Sequence, residues 1–257
     1  MKVQSLFDLT GKTAIVTGGG RGLGAQMAEG FAEAGANVVL CSRKLEACKK
    51  VATKLEEYGV KTLAISCDIT NHKDIQKVVT LTKKEFGTID ILVNNSGATW
   101  GASVAEMPLE AWQKVMNVNV TGTFLMSQAV GKVMIEQGKG KIINIASVAG
   151  LGGTDPRIMD TIAYNTSKGA VITFTKDLAV KWGPHNIHVN AIAPGFFPTK
   201  MSQVIIDHGK DPILANTPLR RFGGEEDLKG VALFLASDAS NYVTGDVIVV
   251  DGGTHAM

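Results

Sequence analysis

"TAIVTGGGRGLG", residues 13–24, decides how the rest of the chain is read. A short β-branched run leads into a turn built largely of glycine, and a helical pattern opens at Leu23. Glycine takes dihedrals that a Cβ forbids and lets the main chain approach a ligand closely. The helix that follows aims its free N–H groups and the positive end of its dipole at the same point, which suits a pyrophosphate. Glycine turns are common, but a strand before and a helix after make this one a nucleotide-binding candidate.

Working outward, short apolar runs alternate with longer helical patterns. The strand candidates are 13–18, 37–42, 62–68, 90–97, 141–147, 187–195 and 247–253. They are nearly continuous in apolar residues, as strands buried on both faces are. Helical patterns cover 23–34, 45–58, 73–86, 109–136 (with an interruption), 161–182 and 225–237. The alternation predicts an α/β fold, a doubly wound, seven-stranded parallel sheet with helices on both faces. One domain over 1–257 is the simplest organisation. The stretch 196–222 holds Pro198, Pro212 and Pro218 and has no strand pattern, so it reads as a substrate lid or small helical insert.

The second strand ends in "CSRKLE", residues 41–46, about twenty residues past the glycine turn, where an acid would grip an adenosine ribose. Ser42, Arg43 and Lys44 stand there instead, with no acid before Glu46. A carboxylate would repel a 2′-phosphate; a guanidinium matches one. Arg21 in the glycine turn can reach the same side. The stretch therefore predicts NADP(H), the alternative being a solvated arginine at a helix start.

Hydrophobic residues make up 45% of the chain, charged residues 19%, and the net charge is +2. A large core is possible, and nothing points to nucleic acid or an anionic membrane as partner. No apolar run has signal-peptide character or approaches the ~18 residues of a membrane span, so the expected location is cytoplasmic. Cys41, Cys48 and Cys67 read as reduced buried thiols. The histidines at 72, 185, 188, 208 and 255 are scattered without metal-ligand spacing, and no metal is expected.

The spacing Thr17-Gly18-x-x-x-Gly22-x-Gly24 resembles that of the short-chain dehydrogenase/reductase family. So do Asn94-Asn95-Ser96-Gly97, Asn119 in "NVNVTG", Ser147 in "NIASVAG", Tyr164 and Lys168 in "YNTSK", and Pro194, Gly195 and Thr199. The resemblance covers almost the whole chain and implies a Rossmann fold and an NADP-dependent oxidoreductase. It implies catalytic roles for Asn119, Ser147, Tyr164 and Lys168. In the glycine turn it implies cofactor contacts from Gly18, Arg21, Gly22, Leu23 and Gly24. Ser42 and Arg43 follow at the second strand, and Asp68 and Ile69 at the third. Asn94 is expected on the adenosine side, with Asn95 and Gly97 beside it. Tyr164, Lys168, Pro194, Gly195 and Thr199 complete the set, with Ile192 near the nicotinamide ring.

Tyr164 and Lys168, four apart, share one helix face. A nearby ammonium lowers the phenol from its ordinary pKa of about 10 toward working pH. Ser147, at the end of a strand, can donate to a substrate carbonyl or simply cap a turn. For Asn119 the resemblance implies a proton relay through water, while the residue itself reads equally as a buried structural amide.

Within the family the chain looks most like 3-oxoacyl-(acyl-carrier-protein) reductases, especially the rhamnolipid-pathway branch, with gluconate 5-dehydrogenases or other sugar-acid and polyol dehydrogenases as the alternative. A non-catalytic NADP(H)-binding regulator is a further alternative. The substrate is a small ketone or alcohol, read from Trp100, the 150–163 loop and the lid. His185 stands where carrier-protein reductases tend to have an arginine. The final strand, at a sheet edge, invites burial against another subunit, and the resemblance implies a homotetramer.

Overall fold

The computed structural model describes residues 2–257, except for the side chains of Val204 and His208. The histidine at 208 thus lies outside the described side chains. Seven parallel strands form one sheet in the order β3-β2-β1-β4-β5-β6-β7. They are β1 Thr13–Thr17, β2 Asn37–Ser42, β3 Thr62–Ser66, β4 Ile91–Asn94, β5 Gly140–Ile145, β6 Ile187–Pro194 and β7 Val247–Val250. Helices α1 Gly22–Glu33, α2 Leu45–Glu56, α3 His72–Phe86, α4 Leu109–Met116, α5 Gly122–Gln137, α6 Ile162–Trp182, α7 Gln203–Ala215 and α8 Lys229–Ala236 connect them.

Every residue of β1 is buried, because each face of the sheet carries its own core. Ala14 and Val16 pack with Met27 and Phe31 of α1 and Leu235 of α8. Ile15 points the other way, to Val78 of α3, Met126 and Val130 of α5 and Leu178 of α6. Burial of that many aliphatic side chains, at about 25 cal/mol per Å² of apolar area, is the main stabilising term. The strand order reverses direction between β1 and β4, and a crevice opens there beyond the strands' carboxyl ends.

The expected boundaries shift for local reasons. β4 stops at Asn94, three residues early, because the backbone N–H groups of Asn95 and Ser96 turn to donate to the Thr17 hydroxyl at 2.9 and 3.0 Å. β7 stops at Val250 because the chain turns back through Gly252 and Gly253, at φ +67° and +92°. The interruption expected within 109–136 is a π-helical turn, Asn117–Thr121, that sets Asn119 between α4 and α5; such turns often mark functional positions. In 196–222 the chain forms α7, kinked at Gly209 and carrying Pro212. The last helix begins at Lys229 rather than at 225, since Asp227 is bonded to the Gly224 N–H and to Arg221.

Candidate active site

The glycine turn is fitted to its neighbours at two points. Gly18 has φ +66°, and a Cβ there would fall 2.9 Å from the Asn95 amide nitrogen. A Cβ on Gly24 would fall 2.4 Å from the same nitrogen and 2.7 Å from the Gly18 carbonyl oxygen. The Asn95 amide donates to the Thr17 carbonyl at 2.9 Å, closing the turn onto the end of β4. The N-terminus of α1 is thus open to a cleft of about 1150 Å³ lined by Gly18, Arg21, Gly22 and Leu23.

Ser42, Arg43 and Lys44 line the same cleft at the end of β2. The Ser42 hydroxyl accepts the Lys44 N–H at 3.2 Å and meets the Cys48 thiol at 3.2 Å, which fixes the loop while Arg43 stays exposed. Glu46, the first acid after the strand, is paired with Lys49 at 2.9 Å. Asp68 accepts the Thr70 N–H at 2.9 Å and its hydroxyl at 2.7 Å through one carboxylate oxygen. Those bonds, with Arg43 adding a smaller attraction, hold the carboxyl below its ordinary pKa. Ile69 completes this wall, which also contains the buried Cys67.

Ser147 follows β5 and is 8% exposed. Its hydroxyl accepts the Ala149 N–H at 3.2 Å, so it caps the short turn Val148–Gly150 while lining the cleft. Tyr164 and Lys168 stand one turn apart on α6, the Lys168 ammonium 5.5 Å from the Tyr164 ring centre. The Lys168 Nζ donates to the Ile145 carbonyl at 2.6 Å. Burial lowers this lysine to a pKa of about 8. The phenol behaves otherwise than expected: burial raises its pKa, and the Ser147 side chain offsets only part of the rise. Lys168, itself desolvated and bonded to a carbonyl, does not reverse that direction here.

Asn119 is buried, and its amide is spent on protein. It accepts the Ala98 N–H at 2.7 Å and donates to the Ala98 carbonyl at 2.9 Å and the Ser167 hydroxyl at 2.8 Å. Its main-chain carbonyl accepts the Thr123 hydroxyl at 2.8 Å. Asn119 therefore braces the loop after β4 against α6, as a structural amide would. Asn95 and Gly97 line the cleft, as do Pro194, Gly195 and Thr199 at the end of β6.

Further expected placements differ. Gly24 is buried against Gly18 and Asn95 and does not line the cleft. Asn94 does not reach the cleft; its amide donates to the Ser127 hydroxyl and the Asn144 amide oxygen at 2.9 Å, inside the sheet. Ile192 is fully buried in the core, and Ile145 and Pro194 line the cleft instead. Trp100 is 43% exposed, with the Lys114 ammonium 5.9 Å from its ring, and Thr99 takes the cleft position. In the 150–163 loop, Asp155, Ile158 and Met159 line the cleft, while Arg157 is bound to Asp155 at 3.0 Å and points away. Both ends of that loop are pinned. A Cβ on Gly150 would fall 2.5 Å from the Lys168 carbonyl carbon, and the Ala102 N–H donates to the Asp160 carbonyl at 3.0 Å. Sequence reasoning missed Thr254, His255 and Met257, which also line the cleft. Only their position just past the last strand could have pointed to them.

A family model described as Enoyl-(Acyl carrier protein) reductase matches residues 18–255. The chain belongs to the short-chain dehydrogenase/reductase family. It is 40% identical over 248 residues to a 3-oxoacyl-(acyl-carrier-protein) reductase of Aquifex aeolicus, covering 96% of this chain and 98% of that one. It is 37% identical over 255 residues to a gluconate 5-dehydrogenase of Gluconobacter oxydans, covering 98% of both. Among solved structures it matches a gluconate 5-dehydrogenase from Burkholderia cenocepacia in complex with NADP and tartrate, at TM-score 0.94, 35% identity and full coverage of both chains. As a member of the short-chain dehydrogenase/reductase family the chain is an NAD(P)-dependent oxidoreductase acting on CH–OH or C=O groups.

Two outcomes follow from this geometry. Gly150→Ala forces the Ser147 turn off the α6 backbone and lowers stability by about 1–3 kcal/mol, read by urea unfolding, with activity falling alongside. For Lys168, only the unfolded chain holds the proton between its folded pKa of about 8 and the ordinary 10.5, so stability rises with pH across that window. Against Lys168→Met, the wild-type protein gains unfolding free energy as pH is raised from about 7.5 to 9.5, measured by urea titration.

Proposed function

We propose that the chain is an NADPH-dependent ketone reductase whose substrate is a 3-oxoacyl thioester-type carbonyl. The observation that carries the substrate class is the lining beyond Ser147. Ile158, Met159, Phe196, Met201 and Ile205 are apolar, and the loop's one arginine is turned to Asp155. An acyl chain suits such walls; among the described residues a sugar-acid carboxylate would find no guanidinium there, only the Lys200 ammonium on the lid. Exposed Arg21, Arg43 and Lys44 at the adenosine end, with no free acid on that loop, support NADPH over NADH. The second reading is a sugar-acid dehydrogenase, supported by the gluconate 5-dehydrogenase relative and by Thr99 and Thr154 in the walls. Ser147, Tyr164 and Lys168 together in one cleft argue against a regulator without turnover. The half-buried edge strand β7 supports assembly as a homotetramer, and 196–222 with α7 serves as the lid of a single domain.

The residues fit a dinucleotide: a cradle that a Cβ would fill, an open helix N-terminus and exposed cations where a 2′-phosphate would lie. Gly18 and Gly22 would hold the pyrophosphate, with Gly24 letting the turn close behind them, Arg43 and Arg21 the 2′-phosphate, Asp68 and Ile69 the adenine, and Thr199 the nicotinamide amide. The bound nicotinamide supplies the hydride. Ser147 donates to the ketone oxygen as negative charge develops on it. Tyr164 gives that oxygen its proton, and its raised pKa in the free enzyme keeps the proton in place beforehand. Lys168 uses one N–H on Ile145; its other two, which meet no acceptor among the described residues, would hold ribose hydroxyls and stabilise the phenolate left behind.

The deciding experiment measures NADPH and NADH oxidation with acetoacetyl-CoA, longer 3-oxoacyl thioesters and 5-ketogluconate. Thioester turnover with NADPH is expected, and a preference for 5-ketogluconate selects the second reading. Tyr164→Phe lowers kcat on the preferred ketone by about 10²–10⁴ with NADPH binding retained; unchanged turnover would overturn the proton-donor role. Arg43→Ala removes one charge-assisted contact of roughly 1.5–3 kcal/mol, so NADPH affinity falls by about 10- to 100-fold while NADH affinity holds, as read by fluorescence titration.

A further inference from the structure

The chain continues past β7 into a hook. The Asp251 carboxylate accepts the Gly253 N–H at 2.8 Å through one oxygen and the His255 N–H at 2.7 Å through the other. The Thr254 hydroxyl donates to the Asp251 carbonyl at 3.0 Å and lies 3.3 Å from the Thr217 hydroxyl, just beyond α7. A Cβ on Gly252 would lie 2.8 Å from the Thr217 methyl, so the hook rests on the base of the lid. On its other side Asp251 packs against Gly195, where an added Cβ would come within 2.7 Å.

This placement gives the hook an address in the cleft. β7 is the sheet edge opposite β3 and β2, so the hook stands at the far end from Arg43 and Asp68. His255 and Met257 line the cleft and leave their side chains exposed, taking no part in the core. An imidazole can donate to or accept from a second carbonyl, and a thioether adapts to an aliphatic chain.

We propose that residues 251–257 form a substrate-selecting wall, in which His255 and Met257 contact the part of the substrate beyond the reacting carbonyl. This rests on the ketone-reductase reading of the same cleft. Asp251 acts as a positioning residue, since it fixes the hook without touching the cleft's contents. The hook thus ties selectivity to the lid, because Thr217 joins both.

The test compares wild-type protein with His255→Ala and with a chain ending at Thr254. For each, kcat/KM is measured with acetoacetyl-CoA and 3-oxodecanoyl-CoA, together with the Kd for NADPH and the Tm. The ratio of long- to short-chain kcat/KM is expected to fall by about tenfold in the shortened chain and by less in His255→Ala, with the NADPH Kd unchanged. A ratio equal to wild type in both variants overturns the proposal. So does a loss shared equally by both thioesters and by NADPH binding, which marks the hook as a support of the fold alone. If the wild-type protein reduces 5-ketogluconate and neither thioester, the thioester reading fails separately. The hook is then read on the KM for 5-ketogluconate, where a rise in both variants supports it and no change overturns it.

Discussion

Thr17 ends β1 with a hydroxyl that accepts the backbone N–H groups of Asn95 and Ser96 and lies 3.3 Å from the Val93 carbonyl it donates to. That side chain joins the two strands between which the sheet changes direction. It stops β4, turns Asn95 toward the glycine loop and sends Gly97 into the cleft. Asn95 in turn leaves no room for a Cβ at Gly18 or Gly24. The open helix N-terminus, the crevice and the loop braced by Asn119 all depend on this junction. A buried hydroxyl can hold such a junction because its donor and acceptors are all used, so no desolvation cost is left uncompensated.

A layer of amides runs beneath it. Asn94 bonds Ser127 and Asn144, and Asn144 bonds Thr175 of α6 at 2.9 Å. The layer links the two central strands to α6, the helix that carries Tyr164 and Lys168. It keeps Lys168 within reach of the Ile145 carbonyl, where a buried ammonium has at least one strong acceptor. The same enclosure explains why the phenol is raised rather than lowered. Desolvation opposes the phenolate over the whole pocket, and the Ser147 side chain offsets that from one side only.

Much of this was legible in the residues. Continuous apolar runs announced strands buried on both faces, and their alternation with helical periods announced the parallel sheet, because period and burial are local properties. The glycine turn, Ser147, and Tyr164 with Lys168 were legible because their spacing is tied to a turn or a helix face. What stayed hidden depends on contacts made at a distance. Asn94 and Asn95 are neighbours in sequence, yet Asn94 ends β4 pointing into the sheet while the Thr17 junction turns Asn95 to the cleft. Trp100 follows the same loop but finds Lys114 and turns outward. His255 lies far from the glycine turn in sequence and joins the cleft only through the sheet's edge order. The pocket's effect on the phenol required knowing how much protein encloses it.

The loop between Ser147 and Tyr164 is held at one end by Gly150 against the α6 backbone and at the other by Ala102 against Asp160. Anchored twice, it can change in length and composition without moving Ser147 or Tyr164 at its two ends. Chemistry and selectivity are in that sense separately inherited. A scaffold built this way can vary its surface around a fixed centre, and relatives of near-equal identity to this chain carry the names of different substrates.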